Sequence, residues 1–169
     1  MSAEGSRNPG PVLVSERSFR SLHSIRHVFL PDQMFDRIEM DRVVAEKLLS
    51  ESIELPDWMA VAEEADDTFV ELPERLRAVG GTDRRTLQLA IARNASLVLI
   101  EGKALIEKVK LSYIRSMGAI PLLVQAYQEN RIRRVGPLLT ALERKGHEMP
   151  PPEQLAALRR ALAEMEGAG

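Results

Sequence analysis

Four acidic side chains stand where a strand-and-helix reading of this chain brings chemistry together. Glu101 follows the apolar run LVLI directly and Glu16 follows PVLVS, so two carboxylates stand at the ends of two apolar strands far apart in sequence. In an open parallel sheet, ligands bind in the crevice outside the carboxyl ends of the strands, because strand order reverses there and leaves a gap between loops. Glu46, in VVAEKLL, and Asp83, in the first turn of a helix after Gly80-Gly81, fall on helix faces that can look into the same crevice. Each acid alone also has an ordinary reading: a strand-end loop residue in water, a solvated helix residue, or a partner for a helix dipole. Their spacing matches no metal-site signature, and what they offer together is a carboxylate cluster.

Other chemistry is thinner. The chain has no cysteine, which excludes disulfides, thiolate metal sites and a cysteine nucleophile. No glycine-rich phosphate loop, nucleophile elbow or dinucleotide fingerprint is present. His23 and His27 are four residues apart on a helix, but neither they nor His147 have a third ligand at a zinc spacing. The run RIRR, Arg131 to Arg134, suits a phosphate or simply a solvated face between two helices. A net charge of −2 over 169 residues argues against a strongly basic nucleic-acid binder. No apolar run reaches the roughly 18 residues of a membrane span, so a soluble, cytoplasmic protein with no membrane partner is expected.

Alternating strands and helices must position those acids. PVLVS reads as a strand, followed by a helix carrying Phe19, Leu22, Ile25 and Phe29 with Ser18 as N-cap. A weaker strand at Arg37 to Met40 precedes a helix capped by Asp41, with Val44 and Leu48 on its apolar face. A short strand is expected at Trp58 to Ala62, a helix at Thr68 to Val79, and a further helix capped by Thr82, with Leu87, Ala90, Ile91 and Asn94 on one stripe. LVLI, a helix from Lys103 to about Lys110, a short strand at SYIRS and three more helices complete the chain. Met34, Met40 and Met117 read as core filler. This order implies an α/β fold with a central, mostly parallel sheet of four or five strands, the strands ending at Ser15 and Ile100 lying side by side. Residues 1–10 read as a disordered lead-in, 11–149 as the domain and 150–169 as a C-terminal helix. The apolar helices after Pro121 exceed what one small sheet covers, which predicts a homo-oligomer.

The strings LVSERS, VVAEKL, GGTDRRTLQLAIARNASLVLIEGKA, LSYIRSMGAIPLLVQAYQENRI and RRVGPLLTALERKGHEM, in that order, resemble a family of small prokaryotic PIN-like proteins. The resemblance runs from about Pro11 to Met149 and implies a three-layer PIN-like fold with additional C-terminal helices. It places Glu16, Glu46, Asp83 and Glu101 on the acidic positions with which PIN domains bind divalent metal, and Ser116 on a supporting hydroxyl. The implied activity is hydrolysis of RNA phosphodiesters with Mg²⁺ or Mn²⁺, and the implied partners are an RNA substrate and a cognate antitoxin. The chain also departs from the pattern. Glu16 and Glu101 stand where PIN enzymes place Asp, and Arg17, Arg84 and Arg85 lie beside the acids. Such arginines would pair with the carboxylates in place of metal, which implies the alternative of a PIN fold retained as a nucleic-acid- or protein-binding module.

Overall fold

The structure, a computed structural model, describes residues 9–62 and 70–167. The expected lead-in at 1–10 falls mostly outside those residues. Five strands, β1 (Val12–Val14), β2 (Ile38–Met40), β3 (Ala60–Val61), β4 (Leu97–Leu99) and β5 (Ser116–Met117), form one parallel sheet in the order β3-β2-β1-β4-β5. Among the described residues the helices are α1 (Glu16–Ser24), α2 (Leu30–Met34), α3 (Arg42–Ser50), α4 (Gly81–Ala92), α5 (Lys103–Leu111), α6 (Ala119–Gln128), α7 (Gly136–Arg144) and α8 (Pro152–Gly167). β1, β2 and β4 are apolar at nearly every position because helices cover both faces of a parallel sheet.

Alternate residues of each strand feed two separate cores. Val12, Val14, Ile38, Met40, Leu97 and Leu99 pack with Phe19 and Leu22 of α1, Val44 and Leu48 of α3, and Leu122 of α6. Leu13, Val98 and Ile100 pack on the other face with Leu87 and Ala90 of α4 and Val109 of α5. The result is the helix-sheet-helix layering expected. A third cluster joins α6, α7 and α8 through Leu123, Ala126, Leu139, Leu142 and Leu162, together with Ile25 and Leu30. The apolar residues after Pro121 therefore cover one another. Among the described residues no helix is long and apolar enough to cross a membrane.

The order runs outward from β1 to β3 on one side and from β4 to β5 on the other, so the direction of winding reverses between β1 and β4. Val14 pairs with Leu99 there, and the Ser15 N–H donates to the Leu99 carbonyl at 3.0 Å. The crevice expected at this switch point is the one between the two strand-end glutamates.

Four elements differ from the sequence expectations, the first being the last strand, expected at SYIRS but formed by Ser116–Met117 because the chain turns through Tyr113 at a φ of 62°. α1 starts at Glu16 with Ser15 as its N-cap, accepting from the Ser18 N–H at 3.2 Å, and it ends at Ser24. The chain then turns through Arg26 at a φ of 59° into the short α2, so Phe29 is not on the same helix as Phe19. The helix expected at Thr68 to Val79 lies partly outside the described residues, and its described part holds only a 3-10 turn at Glu74–Leu76. Pro73 accounts for this: it donates no hydrogen bond and pushes Leu72 out of the helical region. Finally, α4 takes Gly80 as its N-cap and ends at Ala92, which leaves Thr82 inside the first turn and Asn94 beyond the helix.

Candidate acidic site at the strand ends

Glu16 occupies the first turn of α1, where the N-terminal end of a helix favours a carboxylate. It is buried, and both of its oxygens are taken. Lys47 Nζ and the Thr82 hydroxyl donate to Oε1, each at 3.0 Å, and Arg20 Nε donates to Oε2 at 2.9 Å. Arg20 also reaches Glu51, which ties α1 to the end of α3. Burial pushes the Glu16 carboxyl upward, but the hydrogen bonds from Lys47, Arg20 and Thr82 outweigh it and hold the group below its ordinary range.

Glu101 turns back from the end of β4 onto the N-terminus of α6. The Ala119 N–H lies 3.1 Å from each carboxylate oxygen, the Ser18 hydroxyl donates to Oε2, and His147 Nε2 stands 3.3 Å from Oε1. Gly118, the N-cap residue of α6, has no side chain with which to cap the helix, so the carboxylate of a neighbouring strand does it. A Cβ at 118 would come within 3.0 Å of Glu101 Oε1, so glycine is what admits this approach. An acid at the tip of an apolar strand is thus a helix cap supplied from outside the helix. His147 Nδ1 in turn meets the Ser21 hydroxyl at 2.7 Å, which fastens the segment between α7 and α8 to α1. A cavity of about 900 Å³ opens beside this pair, floored by Ile106, Ile120, Val124, Met149 and Leu158.

Asp83 completes a trio. It lies in the first turn of α4, and its Oδ1 is buried without a hydrogen-bond partner. Burial above all pushes its carboxyl upward. Arg17 opposes the shift, while the charges of Glu16 and Glu101 add to it. Asp83 therefore feels both strand-end acids.

The other two expected site residues do not join them. Glu46 points to solvent from α3 and pairs with Arg42 at 2.8 Å. Val44, Ala45 and Leu48 form the buried stripe of α3. At about 100° per residue, Glu46 falls nearly opposite that stripe and Lys47 on its flank, so Lys47 is the α3 residue that reaches the crevice. This periodicity was readable in the sequence. Ser116 pairs with Val98, three residues before Glu101, and so lies about 10 Å down the sheet from the crevice. The hydroxyls at the acids are those of Ser18 and Thr82. Arg17, Arg84 and Arg85 do not bind these carboxylates directly: Arg85 Nε binds Asp41 at 2.9 Å, Arg84 donates to the carbonyls of Arg77 and Val79, and Arg17 donates to the carbonyl oxygen of Glu101 and pairs with Glu148 at 3.8 Å.

A divalent ion requires carboxylate oxygens free to face it in a near-octahedral shell. Here both oxygens of Glu16 and both of Glu101 already accept from protein donors, and two of the donors at Glu16 are cations. Among the described residues no group of three or more Asp, Glu or His side chains is disposed to hold a metal. The donor set does not fit the ion. Residues 18–163 match the model of a family described as PIN domain. No curated protein and no solved structure matches the chain.

Proposed function

The chain belongs to the PIN-domain family, and we propose that it is a member that works by binding another protein and does not cut RNA. PIN domains generally use divalent metal ions. The observation that carries the proposal is Glu101, whose carboxylate is committed to the α6 N-terminus, Ser18 and His147 and is not free to take a metal. Lys47 and Arg20 supply opposing charge at Glu16, and Glu46 lies outside the crevice. The cavity beside Glu101 supports a protein partner over a nucleic acid, since its lining mixes aliphatic side chains with residues of both charges, Lys103 and Lys110 beside Glu107 and Glu148, and includes no Phe, Tyr or Trp on which a base would stack. The test is incubation of the purified protein with single-stranded RNA in Mg²⁺ and in Mn²⁺. No cleavage above the buffer control is expected, and metal-dependent cleavage abolished by Asp83→Asn would defeat the proposal.

One observation favours a second reading, a Mg²⁺- or Mn²⁺-dependent ribonuclease acting as the toxin of a toxin-antitoxin pair. Asp83 keeps a buried, unpartnered oxygen in the field of two further acids, an arrangement whose cost a bound cation would relieve. Under that reading, Glu16→Asp with Glu101→Asp preserves or raises cleavage.

A further inference from the structure

The acid expected on α3 and the lysine found in its place are adjacent residues, and the lysine faces the site. Lys47 Nζ sits 3.0 Å from Glu16 Oε1, the oxygen that Thr82 also holds, while Arg20 takes Oε2. The Lys47 side chain is half exposed, so its ammonium reaches a buried carboxylate from a stem that water can still reach. A dissolved divalent ion competing for Glu16 must shed water, displace this ammonium and remain beside Arg20.

We infer that Lys47 is a tethered counter-ion, an ammonium fixed to α3 that neutralises the strand-end acid Glu16 where other PIN domains use a divalent ion. The inference rests on the non-cleaving reading above and goes beyond it in naming the group that replaces the metal. Lys47 is a positioning residue. It holds Glu16, and through Glu16 the first turn of α1, against α3 and α4 without any exchangeable ion. Removing its charge leaves Glu16 with one cation fewer and one of its oxygens partly released. Opposing charge a few ångströms away in partly screened surroundings governs ion affinity strongly, so a gain in divalent affinity of about tenfold or more follows.

The test uses the full chain and Mn²⁺ as the probe. Calorimetric titration with MnCl₂ and thermal melts in EDTA and in Mn²⁺ are run on the wild type, Lys47→Met, Lys47→Gln and Lys47→Arg, with circular dichroism to verify folding. The wild type and Lys47→Arg are expected to give no saturable Mn²⁺ binding and the same melting temperature in both buffers. Lys47→Met and Lys47→Gln are expected to melt lower in EDTA and to bind Mn²⁺ saturably, recovering the loss. Saturable Mn²⁺ binding by the wild type would overturn the inference, as would folded Lys47→Met and Lys47→Gln proteins with no gain. Cleavage of RNA by the wild type would instead sink the non-cleaving reading, so the two failures are told apart.

Discussion

Replacing Glu101 with alanine separates a helix cap from a metal ligand. The substitution leaves the Ala119 N–H without its acceptor at the buried start of α6, and the Ser18 hydroxyl and His147 lose theirs. An orphaned buried donor costs about 1–3 kcal/mol, and the loss of an N-cap acceptor alone costs about 1 kcal/mol. Against this, the variant no longer desolvates a carboxylate, so the net loss expected from the three partners left without an acceptor is about 3 kcal/mol. For a chain of this size that is a fall in melting temperature of about 6–12 °C. Glu101→Gln keeps an oxygen for the Ala119 N–H, and the Ser18 hydroxyl can rotate to accept from the amide, so it should cost only about 1 kcal/mol. The assay is thermal unfolding at neutral pH in EDTA, where metal contributes nothing. A ligand in a metal-free acidic cluster would behave in the opposite way, since removing one repelling charge stabilises the rest. Glu101→Ala melting at or above the wild type in EDTA would refute the capping role.

Asp83→Asn is expected to stabilise the protein at neutral pH by about 0.5 kcal/mol, reduced by solvent screening because the side chain is only partly buried. The sign follows from the upward shift: the stability due to protonated Asp83 is complete below its unfolded value and is lost as pH rises through the folded one. The gain should therefore vanish in melts run below about pH 4. Glu16 works the other way, because its folded value is depressed from 4.5. Its contribution is present above that value and disappears as pH falls through the folded one, so Glu16→Gln should flatten the acid limb of stability against pH. Glu46→Gln should change stability by less than about 0.5 kcal/mol, since its ion pair with Arg42 is exposed, and a larger change in denaturant midpoint would show that Glu46 is not merely a surface residue.

Much of the fold was legible because the decisive segments are short and strongly patterned. Apolar runs ending in an acid marked β1 and β4, and Asp41 marked the start of α3 by a side chain that accepts from Val43 and Val44. What the sequence left open was rotation and reach. Glu46 and Lys47 are one residue apart, and only the stripe of Val44, Ala45 and Leu48 decides which of them faces the sheet. Ser15 and Ser18 are both acceptable N-caps, and the choice of Ser15 frees the Ser18 hydroxyl to bind an acid 83 residues away. His147 offered no signal, because its role depends on α7 and α8 folding back over α1, a placement set by the third apolar cluster and not by any local pattern. Glu101 was located correctly, but its partner was not, since no motif announces that a strand-end carboxylate will cap a helix whose own cap position is glycine.

The pairing of β1 with β4 carries a consequence for the order in which the chain assembles. β1 can pair with β2 as soon as residues up to Met40 are available, whereas its other edge waits for Leu97–Leu99. Closing a loop of 83 residues, the separation of Ser18 and Glu101, costs about 4 kcal/mol of chain entropy before any contact repays it. During synthesis Glu16 can therefore meet Lys47 and Arg20 long before Glu101 exists, while the inner edge of an apolar strand stands open. On this order the ion pairs at Glu16 are expected to form before the cap from Glu101 to α6. Protection of the Ser15 N–H against exchange, appearing in a refolding pulse after that of the β1–β2 ladder, would record the moment of closure.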